Sequence, residues 1–97
     1  MLKVIRTQEF VDWLHGLRDD TAAAKVSLRI DRLAYGNPGD TKPIGKGLSE
    51  IRIHYGPGYR VYFARRGKTL IIILAGGDKS SQKRDIALAH QLYEEYE

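Results

Sequence analysis

Five side chains in the second half of the chain have types and spacings suited to work on a phosphodiester. Arg52 and His54 stand two apart, Arg60 and Tyr62 stand two apart, and Lys79 follows an apolar run. A two-residue step puts both members of a pair on one face of an extended strand. Cations grouped in this way neutralise a phosphate and stabilise the added charge of its pentavalent transition state. RNA brings its own nucleophile, the 2′-hydroxyl, so a protein need supply only a base, an acid and positive charge. Arginine keeps its proton and makes no convincing base. His54 and Lys79 are therefore the proton-transfer candidates, with Tyr62 behind them. The plain alternative for His54 is a strand-surface histidine. Lys83 and Arg84, one turn into a following helix, extend the basic set, and Lys46 adds a cation in a glycine-rich loop.

Other chemistries find less support. The chain has no cysteine, which removes thiolate catalysis, disulfides and cysteine-ligated zinc. His15, His54 and His90 fall on three different elements without ligand spacing, so no metal and no cofactor are expected. Ser80 and Ser81 sit where a helix begins, and capping accounts for them. Gly76-Gly77 before that helix could cradle a phosphate, but a tight strand-to-helix turn needs the same glycines.

The elements that must position these residues are legible as periodicities. From Glu50 to Tyr55 the apolar Ile51, Ile53 and Tyr55 alternate with Glu50, Arg52 and His54. From Tyr59 to Arg65, Tyr59, Val61 and Phe63 alternate with Arg60, Tyr62 and Ala64. Period two marks half-buried strands. Leu70 to Ala75 has no polar position, as in a central strand covered on both faces. Gly56-Pro57-Gly58 and Arg66-Gly67 close the two hairpins.

Upstream, Leu2 to Arg6 reads as an edge strand and Thr7 as the cap of a helix carrying Phe10, Trp13, Leu14 and Leu17 on one stripe. Asp19-Asp20 then open a second helix, about Thr21 to Tyr35, with Ala23, Val26, Ile30 and Leu33 inward and Lys25, Arg29 and Arg32 on its solvated side. The two helices are expected to form an antiparallel hairpin. Gly36 to Gly47, rich in glycine and proline, reads as a loop. The last helix places Ile86, Ala89, His90 and Tyr93 on one side, and its acidic end, Glu94 to Glu97, is expected to fray. The result is a single α+β domain over residues 1–97, ordered β-α-α-β-β-β-α, with the helices on one face of a mainly antiparallel sheet. Arg52, His54, Arg60 and Tyr62 would then share the uncovered face.

Charge points the same way. Net charge is +4, but residues 48–84 carry eight Lys or Arg against two acidic residues, while residues 85–97 carry four acidic residues and no Lys or Arg. Basic groups interleaved with Tyr55, Tyr59, Tyr62 and Phe63 suit a nucleic-acid backbone with unstacked bases, or equally a solvated strand surface. No stretch approaches the roughly 20 apolar residues of a membrane span, and the N-terminus lacks a signal-peptide pattern. A cytoplasmic protein without membrane contact is expected.

The run GLSEIRIHYGPGYRVYF, an apolar strand, and then GGDKSSQKRDIALA resemble the HigB-like branch of the RelE/ParE superfamily of bacterial toxins, also labelled addiction-module killer proteins. The resemblance covers nearly the whole chain. It implies a small twisted sheet with two N-terminal helices and one C-terminal helix. Further, it implies a type II toxin–antitoxin pair, with a helix-turn-helix antitoxin as partner and mRNA on the ribosome as substrate, cleaved without metal. By the same resemblance Arg60 holds the scissile phosphate, Arg52 assists, and Lys79 stabilises charge or transfers a proton. The sequence departs from the nuclease pattern after Lys79, where Ser80 to Asp85 offer no tyrosine or histidine acid. ParE-type relatives share the fold and inhibit DNA gyrase through protein binding, which is the alternative function.

Overall fold

The computed structural model describes residues 1–96; the expected fraying of the acidic end therefore falls partly, at Glu97, outside the described residues. Strand β1 (Lys3–Arg6) is followed by helices α1 (Gln8–His15) and α2 (Asp20–Ala34). Four strands come next: β2 (Thr41–Gly45), β3 (Leu48–Ile53), β4 (Tyr59–Arg66) and β5 (Leu70–Asp78). A single 3-10 turn, Lys79–Ser81, leads into α3 (Gln82–Tyr96). The sheet order is β1-β5-β4-β3-β2, antiparallel except where β1 lies parallel to β5. The fold is α+β.

Both N-terminal helices start where their side chains satisfy the free N–H groups of a first turn. Thr7 Oγ1 accepts from Phe10 N at 3.1 Å and donates to Leu74 O at 2.5 Å, fastening α1 to the central strand. Asp19 accepts from the N–H groups of Thr21 and Ala22. On the inner face Phe10, Val26 and Ile30 meet Ile51, Ile53, Val61, Phe63, Ile71 and Ile73, all buried. Burying each such side chain contributes about 1.5–3 kcal/mol.

Two expectations need correcting. Residues 36–47 are not all loop, because Thr41–Gly45 forms an edge strand on β3 with a bulge between Pro43 and Gly45. Proline is tolerated there because an edge strand leaves some N–H groups outside the ladder. Nor do the helices gather on one face. Helix α3 crosses the opposite one, packing Ile86, Ala89, Leu92 and Tyr93 on Leu48, Tyr62, Ala64, Ile72 and Leu74. The all-apolar β5 is thus covered on both sides, and only one end of the second face stays open.

A bulge opposite Tyr62–Phe63 shifts the β4–β5 register. Beyond it Gly76 and Gly77 lie within β5, paired with Val61 and Arg60, rather than in a strand-to-helix turn. A Cβ on Gly76 would overlap the Trp13 ring, and one on Gly77 the Asp85 carboxylate. Both glycines are needed for close approach, and neither has a positive φ. The 3-10 turn that leads into α3 is capped by Asp78, whose carboxylate accepts from Ser80 N at 2.8 Å.

Candidate active site

Register brings the first cations together. In the β3–β4 ladder Arg52 stands directly across from Arg60, so both side chains leave the second face at its open end. The turn from His54 to Gly58 folds back beside the start of the 3-10 turn. Gly58, at φ 83°, lies so close to Lys79 that a Cβ there would sit 3.6 Å from the lysine Cβ. The result is a cleft of about 420 Å³ lined by residues 52–58, Arg60 and Lys79. Arg52, His54, Arg60 and Lys79 therefore share one concavity, although they come from three elements and a turn.

Each cation is held differently. Arg52 forks onto Asp40 Oδ1, with Nη2 at 2.9 Å and Nε at 3.2 Å. His54 Nε2 lies 2.5 Å from the other oxygen of the same carboxylate. The His54 hydrogen bond, and then those from Arg52, hold the Asp40 carboxyl below its ordinary value of 3.8. Arg60 reaches inward instead, its Nη1 donating to Glu50 Oε2 at 2.6 Å. Glu50 is 1 % exposed and takes a second hydrogen bond from Gln82 Nε2 at 3.1 Å. Lys79 is exposed.

Three contributors went unread in the sequence: Asp40, Glu50 and Arg29. Arg29 is not a merely solvated helix residue. It reaches from α2 under the loop, donating to Arg52 O at 2.8 Å and to the carbonyls of Pro38 and Asp40, each at 3.2 Å. Burial lowers its pKa from the ordinary value, but an arginine remains charged. The guanidinium lies against Gly39, at φ 66°, where a Cβ would come within 2.9 Å of Nη2. An aspartate following a glycine at the end of a proline-containing loop was the available signal for Asp40. For Glu50 the signal was its place on the same strand face as Arg52.

Of the residues expected to contact RNA, Tyr62 requires correction. It is 0 % exposed beneath α3, and its hydroxyl has no hydrogen-bond partner among the described residues. Burial, followed by the charges of Glu50 and Asp85, pushes its phenol well above the ordinary range. Neither RNA contact nor proton transfer is open to it. Lys83 and Arg84 line a separate depression with Ser80 and Ser81. Lys46 sits exposed at the β2–β3 turn with φ 54°, and does not line the cleft.

Among the described residues no group of three or more His, Cys, Asp or Glu side chains could hold a metal ion. No helix among them is long and apolar enough to cross a membrane. The cleft can bind an anion through four cationic or protonatable groups, and it contains an imidazole oriented by a carboxylate.

Fold and cleft together define a small α+β domain with a cationic site at one end of its sheet. The chain belongs to the phage-derived Gp49-like family (DUF891), whose profile matches residues 12–94. It is 44 % identical over 94 residues to a protein of Haemophilus influenzae described as uncharacterized, spanning 97 % of this chain and 95 % of that one. No solved structure matches the chain.

Proposed function

We propose that the chain is the toxin of a type II toxin–antitoxin pair, of the HigB-like RelE/ParE kind, and that it cleaves mRNA on the ribosome without a metal ion. One observation carries this reading: Arg52, His54, Arg60 and Lys79 line a single open cleft. Membership of a phage-derived family supports it. So do the two N-terminal helices, small sheet and C-terminal helix that the sequence resemblance implies.

In this mechanism the cations bind the scissile phosphate and stabilise its transition state, the kind of preorganised charge that contributes most in a water-poor site. The 2′-hydroxyl attacks the adjacent phosphorus and the 5′-oxygen leaves, giving a cyclic phosphate. His54 and Lys79 are the two groups available to move protons. The partner is a small helix-turn-helix antitoxin encoded next to the gene, contributing acidic residues against the basic surface, and the pair acts in the cytoplasm.

Expression with and without the neighbouring gene tests the reading. The chain alone should arrest growth and leave mRNA cut, co-expression should restore growth, and Lys79→Ala should be harmless. Growth arrest with intact mRNA and failed gyrase supercoiling would overturn the nuclease reading in favour of a ParE-type inhibitor.

A further inference from the structure

The residues that hold His54 assign it one of the two proton-transfer roles. We infer that Asp40 is a positioning residue that fixes the His54 ring through Nε2 and makes Nδ1 the nitrogen that takes the 2′-hydroxyl proton. This rests on the nuclease reading above. A carboxylate with a lowered pKa is an acceptor only, so the nitrogen facing Asp40 Oδ2 at 2.5 Å carries the hydrogen. In a neutral imidazole the other nitrogen is then the acceptor. His54 lines the cleft and its side chain is 73 % exposed, so this acceptor is available to a bound substrate.

Asp40 is not a loosely placed surface partner. Its carbonyl accepts from Arg52 N at 2.9 Å and from Arg29 Nη2, and its second carboxylate oxygen is forked by Arg52. The loop is thereby pinned to both α2 and β3 before the carboxylate meets the ring. This is the arrangement in which a third group orients a base. The charged and titratable groups around His54 are otherwise Lys25, Arg29 and Arg32 from α2, Arg52 from β3 and Tyr55 from the turn, with Arg60 and Lys79 across the cleft. Asp19 accepts from the Tyr55 hydroxyl.

The step balances within the cleft. Nδ1 takes the proton as O2′ bonds to phosphorus, the P–O5′ bond breaks, and the leaving 5′-oxygen takes a proton from the Lys79 ammonium. Imidazolium and neutral lysine then exchange protons with solvent.

The test compares wild type and Asp40→Asn by the 15N NMR signature of the His54 ring and by kcat/KM for RNA cleavage. The wild-type ring should carry its hydrogen on Nε2, and loss of the carboxylate should weaken that preference and lower kcat/KM by at least about 10-fold. A double-mutant cycle guards against simple misfolding: Asp40→Asn added to His54→Ala should cost no further activity. If wild type cleaves RNA but its His54 ring carries the hydrogen on Nδ1, or the two losses add, the positioning role is wrong. If wild type cleaves no RNA at any pH, the nuclease reading itself fails, and this role with it.

Discussion

The two faces of the sheet are built by different rules. The face under α1 and α2 is closed by aliphatic and aromatic side chains alone, from Phe10 to Ile73. The face under α3 mixes an apolar patch with a buried Glu50–Arg60 pair, Gln82, the Tyr62 hydroxyl and Asp85 hydrogen-bonded to Ser81. An apolar face can tolerate loss of one member as a cavity. A buried ion pair leaves an unpaired charge when one partner is lost, so the second face is more sensitive to chemistry than to size. That polar seam runs to the open end of the sheet, where the cleft begins, so Arg60 serves both the seam and the site.

The largest effects should separate the faces. Arg60→Ala should destabilise by about 3–5 kcal/mol, because Glu50 is left buried and charged. Adding Glu50→Gln should recover much of that in urea unfolding. Phe10→Ala on the first face should cost a similar amount, about 3–5 kcal/mol, through its cavity, and Glu50→Gln should not relieve it. Recovery in both backgrounds, or in neither, would break the distinction. On the proposed function, lost toxicity in Arg60→Ala would report folding as well as phosphate binding, whereas exposed Lys79 and His54 would report the site alone.

Next in size are the glycines at the end of β5. Gly76→Ala and Gly77→Ala should each cost about 1–3 kcal/mol by overpacking, the first against Trp13 and the second against Asp85. Only the second should be eased by Asp85→Ala. Smaller still, and opposite in sign, Tyr62→Phe removes a buried unpaired hydroxyl. It should raise stability by about 1 kcal/mol in thermal unfolding and leave RNA cleavage unchanged.

A pH effect distinguishes the cleft rim from both cores. Asp19, Asp40 and Asp78 all have folded pKa values below 3.8, held there chiefly by Tyr55, His54 and Ser80 respectively. A depressed carboxylate stabilises the fold above its unfolded pKa, and that stabilisation is lost as pH falls through the folded value. Acid titration of stability should therefore steepen below pH 3.8, and less so in Asp40→Asn.

The first face was readable because its parity and its polarity agree: Ile51, Ile53, Val61 and Phe63 alternate with polar residues, and Thr7 and Asp19 mark the helix starts. On the second face parity was again right, since Arg52 and Arg60 do emerge together. Its cover was foreseen for β5, whose unbroken apolar run reads as buried on both sides. It was not foreseen for β3 and β4, because Glu50, Arg60 and Tyr62 looked like residues that face water. Strand β2 escaped because it lies in a stretch, 36–47, rich in glycine and proline, and its pairing comes from β3 rather than from local propensity. Asp40 escaped because its role depends on a partner 14 residues away, through a loop pinned by Arg29.

The central claim is that the cations of one cleft cleave RNA through the substrate's own 2′-hydroxyl. The most direct measurement is end-group analysis of mRNA incubated with purified protein and intact ribosomes, with folded Lys79→Ala and His54→Ala alongside. The account predicts fragments ending in a 2′,3′-cyclic phosphate, reduced at least about 100-fold by either substitution, as for loss of a proton-transfer group. Intact mRNA, or fragments ending in a 3′-hydroxyl, would contradict it.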